Sequence, residues 1–411
     1  MNPGNSPDAG PAAAEFEGWL RADGRKGIRN ILVVVHLVEC AHHVAREIVL
    51  PFRGGNVHSI GFGGCFPNEY ADRMMRALCT HPNVGGALLV SLGCESFNRG
   101  GLADHIRSSG RPVQTLVIQE SGGTRTSIQA GQQQVTEGLA KLARQPRVTM
   151  TVNELVVGTI CGGSDATSGL TANPAVGEAF DRLEAAGATT LFEETGELIG
   201  CEQFLAARAA RTELKRMLTV SIDKAARHYA ELGHGSFAPG NADGGLTTIE
   251  EKSLGAYSKS GHAPIQGLLK PADIPPGPGL YLLDVVPDGP TRHGFANIND
   301  NAEIAELMAC GAHLTLFTTG RGSVVGSAIS PVIKICANPV TYARMPEDMD
   351  INAGCILDGH ATRGEVAGEI YERVLRTAAG KATASERLGH QEFVLTYKTS
   401  APAGPGCLPT G

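Results

Sequence analysis

The sequence predicts an α/β protein: two doubly wound, mainly parallel Rossmann-like units with a C-terminal helical extension. Short apolar runs alternate with helical patterns from residue 31 to 143 and again from about 148, the rhythm of strands joined by helical crossovers. The runs are apolar almost throughout, ILVVVHLV at 31–38 for example, as strands covered on both faces are. Glycine supplies 53 of 411 residues while aromatic residues make up only 5%, a composition of many tight turns rather than of a sandwich or a coiled coil. That length exceeds what one core serves. The expected divisions are a disordered N-terminus at 1–15, a first α/β domain at 16–147, a second at 148–350, and a C-terminal helix and tail at 351–411.

Residues 1–15 are rich in Pro, Ala and Gly and have little to bury. Residues 18–30 place two basic turns before the first strand, 31–38, which ends at Glu39-Cys40 and leads into a helix at 41–50. A strand at 57–60 runs into the glycine loop GFGGCFPN, which opens a helix at 69–79. The third strand, 86–92, ends at Gly93-Cys94-Glu95. The fourth, 112–118, ends at QESGGTR before a long helix reaching 143. In the second unit, strands are expected at 154–160, 189–192, 280–284, 313–317 and 332–336, with a long helix at 196–232. A polar glycine loop follows at 234–243, and the four prolines of 270–279 mark a surface crossing. A helix at 362–379 precedes a Pro-Gly-rich tail. No internal repeat of fixed period is present.

The chain is organised around CGGSDATSGLTANP at 161–174. Strand, polar turn and helix succeed one another there, with Asn173 as the expected cap and Pro174 at the first helical position. Such a turn brings amide donors to the carboxyl end of a strand, where open α/β sheets bind anions and small ligands. The formal charge is −7 and no basic stripe occurs, which argues against nucleic acid and anionic membrane as partners. No apolar run approaches the roughly 20 residues of a membrane span, and the N-terminus lacks a secretory signal. Ten cysteines scattered singly point to a reducing cytoplasm.

Several long segments in fixed order carry a resemblance: RADGRKGIRN, THPNVGGALLVSLGCE, QESGGTR, CGGSDATSGLTANPAVG, NADGGLTTIEEKSLGA, LFTTGRGSVVGSAISPVIKICAN and MPEDMDINAG. On them, residues 18–393 resemble the large-subunit region of the altronate and galactarate dehydratase family of sugar-acid hydro-lyases. The family also includes the large subunit of a sulfolactate sulfo-lyase, which expels sulfite where the dehydratases expel water. Both reactions remove a proton next to a carboxylate. The resemblance implies a metal-dependent hydro-lyase acting on a sugar acid or related hydroxy acid to give a 2-keto acid, with a divalent ion, Fe2+ first and Mn2+ or Zn2+ as alternatives. Family members carry a small N-terminal domain or pair with it as a separate chain. The chain has no room for it before Gly18, which implies a separately encoded small subunit, a stand-alone variant or a role other than catalysis; a homo-oligomer is expected. A non-catalytic sugar-acid binding or scaffold protein is the reading from another class. Phe66-Pro67-Asn68 stand where the dehydratases more commonly have polar residues.

Cys40, Cys65, Cys94 and Cys161, each at or just after a strand end, are the candidate metal ligands together with Glu95. Soft sulfur suits iron or zinc better than magnesium, whereas their spacing does not match the clustered runs that bind iron–sulfur clusters. Buried structural thiols are the alternative. For a substrate carboxylate the candidates are Gly122, Gly123, Thr124 and Arg125 in one loop and Thr319, Arg321 and Ser323 in another, with Ser164 and Asn338, since glycine amides beside a guanidinium recognise carboxylates. The proton-transfer candidates carried forward are His42, Lys334 and Asp165. His36, His43 and Lys252 are alternatives, and Asp348, Asp350 and Asn352 form a further polar cluster.

Overall fold

A computed structural model describes residues 14–232, 239–288 and 299–395, and in it fourteen strands among those residues form three sheets. Along the chain they are β1 (Glu15–Leu20), β2 (Lys26–Gly27), β3 (Ile31–His36), β4 (Val57–Gly61), β5 (Val84–Ser91), β6 (Val113–Val117), β7 (Arg147–Thr151), β8 (Val156–Cys161), β9 (Thr189–Glu193), β10 (Ile265–Leu269), β11 (Gly279–Leu283), β12 (Leu314–Thr319), β13 (Val332–Cys336) and β14 (Ile351–Asn352). A four-stranded sheet has the order β4-β3-β5-β6 and is parallel throughout. A seven-stranded sheet, β10-β11-β9-β8-β12-β13-β14, is parallel as well. The protein is thus mixed α/β with parallel sheets.

Alternation along the strands explains why they read as apolar throughout. On β3, Val33 and Val35 face helix Glu69–Cys79 through Met74 and Met75. Leu32 and Val34 face helices Glu39–Val49 and Thr124–Leu142 through Val44, Ile48 and Val135. The seven-stranded sheet is packed likewise. One face meets Phe180 and Val176 of helix Ala172–Ala185 and Ile370 and Val374 of helix Arg363–Ala378. The other joins the same core as Met74 and Met75 through Phe317, Ile304 and Leu307. Burial of a side chain of this size contributes about 1.5–3 kcal/mol.

Several expectations are corrected. Residues 18–30 are not turns alone, because β1 and β2 pair with each other and β1 pairs antiparallel with β7. β1 alternates in burial from Glu15 to Gly18, but one of its two buried positions is Gly18, which has no side chain to mark it, and this hid the strand. Of the 1–15 segment, 1–13 lie outside the described residues, and Glu15 opens β1. The helix expected at 196–232 is three pieces, a 3-10 turn Thr195–Leu198 and helices Glu202–Ala207 and Thr212–Leu232. Gly200, at φ +91°, takes the left-handed conformation that ends the first piece. Helix Ala172–Ala185 begins two residues before Pro174 with Thr171 at the N-cap. Asn173 is therefore inside the helix, and its Oδ1 accepts from the Thr318 hydroxyl at 2.7 Å instead of capping. Strand β10 and helices Ile249–Ser258 and Asp300–Ala309 are additional elements. The loop expected at 234–243 lies outside the described residues at 233–238, and 239–243 is a short helix. The tail beyond 395 is likewise outside them. Among the described residues no helix is long and apolar enough to cross a membrane.

Helix Ala172–Ala185 touches the end of helix Ile249–Ser258 at Gly177, where a Cβ would collide with the Ser258 carbonyl. Gly177→Ala should therefore cost about 1–3 kcal/mol, the usual penalty of overpacking, read as a lower urea midpoint with unchanged slope. A midpoint equal to that of the parent would show that the two helices separate freely.

Candidate active site

Cys161 is the last residue of β8, and Glu194 follows the last residue of β9, its neighbour in the sheet. The 3-10 turn Thr195–Leu198 then folds back and returns Glu197 to the same spot. Helix Ile249–Ser258 brings Lys252 from the opposite side. Its start is set by Thr248, whose hydroxyl accepts from Glu251 N at 3.2 Å, while the Glu251 carboxylate accepts from Thr247. Gly169 and Gly255 let the 161–171 turn and this helix meet backbone to backbone, a Cβ on either standing 3.3 Å from the other's Cα.

The outcome is a buried cluster. Lys252 Nζ donates to Cys161 Sγ at 2.9 Å and to Ser164 Oγ at 2.8 Å, and it lies 2.5 Å from Glu197 Oε2. Ser164 Oγ donates to Cys161 Sγ at 3.2 Å, and Glu194 Oε1 accepts from Cys161 N at 2.7 Å. Lys259, with none of its side chain exposed, forms an ion pair with Glu194. Burial pushes the Cys161 thiol up to about 12, and Glu194 and Glu197 add to that. Burial opposes ionisation of Glu197, but Lys252 overrides it and holds the carboxyl below its usual range. For Glu194 burial prevails over Lys259 and raises it. Burial also disfavours the Lys252 ammonium, yet Cys161 and Glu197 keep it protonated well above the ordinary lysine range. Asp300, in the first turn of helix Asp300–Ala309, is pushed up to about 6 by burial and by Glu197.

Asp165, Ser164, Thr319, Arg321 and Asn338 gather beside this cluster at the carboxyl ends of β8, β12 and β13. Asp165 accepts from Thr167 N at 2.9 Å, from the Thr167 hydroxyl at 2.6 Å and from Asn338 Nδ2 at 2.9 Å. The amides of Gly320 and Arg321 both donate to the Gly163 carbonyl, and Gly322 N donates to Thr319 Oγ1 at 3.0 Å. These amides, expected to join Arg321 in holding a carboxylate, are thus turned inward. The Arg321 guanidinium is exposed and donates to the Gly240 carbonyl. Ser323 Oγ accepts from Val325 N at 3.1 Å.

The remaining candidates lie elsewhere. Cys40, Cys65 and Cys94 are exposed and, with Glu95, His42 and the Gly122, Gly123, Thr124 and Arg125 loop, follow strands of the four-stranded sheet. Glu95 accepts from the Ser91 hydroxyl and from Gly93 N at 2.8 Å. His42 Nδ1 is 3.0 Å from Glu39 Oε1, and its ring stacks on His36 with centroids 4.7 Å apart. Arg125 and Thr124 are exposed at the start of helix Thr124–Leu142. Lys334 is buried within β13, 3.4 Å from His390 Nδ1. Asp350 is a structural acceptor, holding Lys334 N, Ala384 N and Arg373. Sequence reasoning missed Glu194, Glu197, Lys259 and Asp300. The acids of EETGE directly after a strand were the available signal, lost because a helix was expected to begin at 196.

The ligand atoms of Cys161, Glu194 and Glu197 all lie within 4.8 Å of one another, so these three can hold a metal ion. Among the described residues no other group of three or more His, Cys, Asp and Glu does so, and Cys40, Cys65, Cys94 and Glu95 are not brought to Cys161. The donors fit a divalent ion in kind: one sulfur and two carboxylates suit iron, manganese or zinc. The fit requires the thiol proton to leave and Lys252 to release sulfur.

Residues 18–143 match the family model for the second domain of D-galactarate dehydratase/altronate hydrolase, and residues 152–401 match that for the C-terminal domain of D-galactarate/altronate dehydratase. The (2R)-sulfolactate sulfo-lyase subunit beta of Chromohalobacter salexigens is 36% identical over 93% of this chain and 97% of its own length. Altronate dehydratase of Bacillus subtilis is 28% identical over 92% of this chain and 77% of its own. Galactarate dehydratase (L-threo-forming) of Escherichia coli is 32% identical over 89% and 73%.

Removing one partner of a fully buried ion pair strands the other charge. Lys259→Met should therefore cost about 3–5 kcal/mol in urea unfolding, and adding Glu194→Gln should recover part of it. A single variant as stable as the parent would mean that Glu194 is already neutral.

Proposed function

The chain belongs to the D-galactarate/altronate dehydratase family and is a lyase, and from that premise we propose that it acts at the Cys161, Lys252, Glu194 and Glu197 cluster on a small hydroxy acid. The proton leaves the carbon next to the carboxylate, the group on the following carbon departs, and the enol so formed rearranges to a 2-keto acid. The observation that carries this reading is the buried Lys252 ammonium, shared by Cys161 Sγ, Ser164 Oγ and Glu197 at the sheet edge. Positive charge fixed in a largely buried site stabilises the enolate-like intermediate without reorganising. Lys252 also has a proton to give to the departing group.

A divalent ion on Cys161, Glu194 and Glu197, Fe2+ before Mn2+ or Zn2+, would supply Lewis acidity toward the substrate oxygens. Arg321 is assigned the substrate carboxylate through its guanidinium alone, since the neighbouring amides are committed to Gly163 and Thr319. Asp165, held by Thr167 and Asn338, fixes the loop that carries Ser164 rather than moving a proton.

Water is the leaving group in the primary reading, as in the two dehydratase relatives. Sulfite release from a sulfonated hydroxy acid is the second reading. It is favoured by the match to the sulfo-lyase subunit beta, whose 36% identity over 97% of that protein exceeds the 28–32% of the dehydratases. That this relative is the beta subunit of its enzyme supports a separately encoded small subunit as partner, within a homo-oligomer. A reducing cytoplasm agrees with nine described cysteines that are all unpaired.

Aldonates, aldarates and sulfolactate, supplied to the anaerobically prepared chain with and without the small-subunit domain of a dehydratase or sulfo-lyase relative, should give a 2-keto acid from one class, with sulfite if the second reading is right. Chelation should abolish turnover and Fe2+ restore it. Turnover unchanged by exhaustive chelation would remove the metal from the reading. No keto acid from any of these, with the partner present, would leave only the binding role.

Charge-assisted hydrogen bonds contribute about 1.5–3 kcal/mol each, and Lys does not reproduce the arginine fork. Arg321→Lys should therefore lower kcat/KM by about tenfold, at about 1.4 kcal/mol per decade, with the melting temperature nearly unchanged. Early melting with normal turnover of the folded fraction would make Arg321 structural.

A further inference from the structure

We propose that a cavity toward the amino ends of the four-stranded sheet binds a small organic acid, an apolar body that carries one carboxylate and one hydrogen-bond donor. The cavity has a volume of about 220 Å³ and lies between that sheet and helix Thr124–Leu142. Strand register sets its floor. Leu32 of β3 pairs with Gly86 of β5, and Leu88 of β5 pairs with Gln114 of β6, so these four positions share the face that the helix covers. Gln134, Gly138, Lys141 and Leu142 form the roof, at a spacing that puts them on one side of the helix. Gly86 and Gly138 add no side chain to the space between floor and roof. β6 is the edge strand, so no further strand closes that side. The cavity shares no described residue with the Cys161 cluster or the Arg321 loop.

Charge and polarity specify the occupant. The described lining residues include the cations Arg107, Arg111 and Lys141 and no acid, in a chain of formal charge −7. Arg111 is already committed, donating to Val84 O at 2.9 Å, to His81 O at 3.2 Å and to Asp23 at 3.0 Å. Arg107, near the end of helix Arg99–Ser108, gives Nη1 to Asp104, and its other nitrogens carry no hydrogen bond among the described residues. Lys141 is exposed, and its ammonium has neither a hydrogen bond nor an ion pair among the described residues. A carboxylate at the mouth therefore meets Lys141 and Arg107. Inside, Leu32, Leu88, Val113 and Leu142 present hydrocarbon, which disfavours an inorganic anion. Gln134 Oε1 is buried without a hydrogen-bond partner. An unpaired buried acceptor is costly, and a hydroxyl or N–H on the ligand satisfies it. The volume equals that of about seven waters at about 30 Å³ each, below the roughly 300 Å³ at which pockets for drug-sized ligands begin. One ring or a short chain fits. A second cavity, of about 230 Å³ against helix Glu69–Cys79, has Glu69, Asp284 and Asp288 as well as Arg73 and Lys270 in its lining and so selects neither sign of charge.

Calorimetric titration of the full chain with 4-hydroxybenzoate tests the site. Wild type should bind it at about 1 mM or tighter, the range open to so small a ligand. The uncharged 4-hydroxybenzamide keeps the ring and the hydroxyl and should bind at least about tenfold more weakly, the loss of one charge-assisted hydrogen bond. Benzoate, which lacks the donor, should also bind more weakly, and inorganic sulfate should not compete. Lys141→Gln should lose about tenfold for the acid and nothing for the amide, whereas Gln134→Leu should bind benzoate and 4-hydroxybenzoate alike. Arg321→Lys should leave the titration unchanged, which separates this cavity from the substrate site. Urea midpoints equal to that of the parent show that a variant is folded. Binding unaltered by Lys141→Gln, or weakened by Arg321→Lys, would put the anion elsewhere and overturn the proposal. Absence of binding by wild type, or equal affinity for acid and amide, would overturn it as well. A preference for the hydroxyl that survives Gln134→Leu would remove Gln134 from the site.

Discussion

Two buried ammonium groups set the terms for the second sheet. Lys252 and Lys259 are 4% and 0% exposed, and burying a lysine is tolerable only when an acid compensates it. Glu194 and Glu197 do so, and Glu197 can do so only because the chain turns back in a tight 3-10 turn after β9 rather than continuing into a regular helix. The break that defeated the expected 196–232 helix is thus the feature that builds the site. A replacement of the whole charged group by apolar side chains would pack as well or better. Keeping it buried at a sheet edge, beside a thiol, argues for chemistry rather than stability.

Holding these charges requires backbones to approach one another. Helix Ile249–Ser258 can place Lys252 over Cys161 because Gly255 meets Gly169, and because Gly177 accepts the carbonyl of Ser258 at the helix end. Gly162 does the same for Asp300. Small residues in these places spend packing area to gain proximity, and proximity is what makes the ammonium, the thiol and the acids act as one unit. The Asp165 network stiffens the same turn from the other side. Its partners come from a neighbouring loop residue, Thr167, and from Asn338 beyond β13.

The two sheets divide the strand-end residues between them. Cys161, Ser164, Asp165, Thr319, Arg321 and Asn338 belong to the edge of the seven-stranded sheet, whereas Cys40, Cys65, Cys94, Glu95, His42 and Arg125 follow the strands of the four-stranded sheet. The second set contains exposed thiols and acids tied to their own loops, and among the described residues it forms no group of metal-type donors. A strand-end position is thus a condition for taking part in the site and does not by itself decide which residues meet.

What the sequence by itself determined is local. The parallel strands were legible because both faces of each are covered and their apolar runs are nearly unbroken; β13 has the bounds read from the sequence, and helix Glu69–Cys79 likewise. The 161–174 turn stood out because a thiol, a carboxylate and hydroxyls crowd a glycine-bearing strand end, and its long motifs identified the family. Short or irregular elements were not legible. β1 has a glycine, Gly18, at one of its two buried positions, β10 is five residues long, and the helix after β9 is broken by a left-handed glycine. Tertiary structure alone decided which groups meet, since Lys252 is 91 residues from Cys161 along the chain and Glu194 is 33. It also decided that the amides beside Arg321 point inward, because hydrogen bonds to Gly163 form only once β8 and β12 lie side by side. Periodicity records which face of an element is buried, whereas the meeting of charges across a sheet edge depends on crossings that no local pattern encodes.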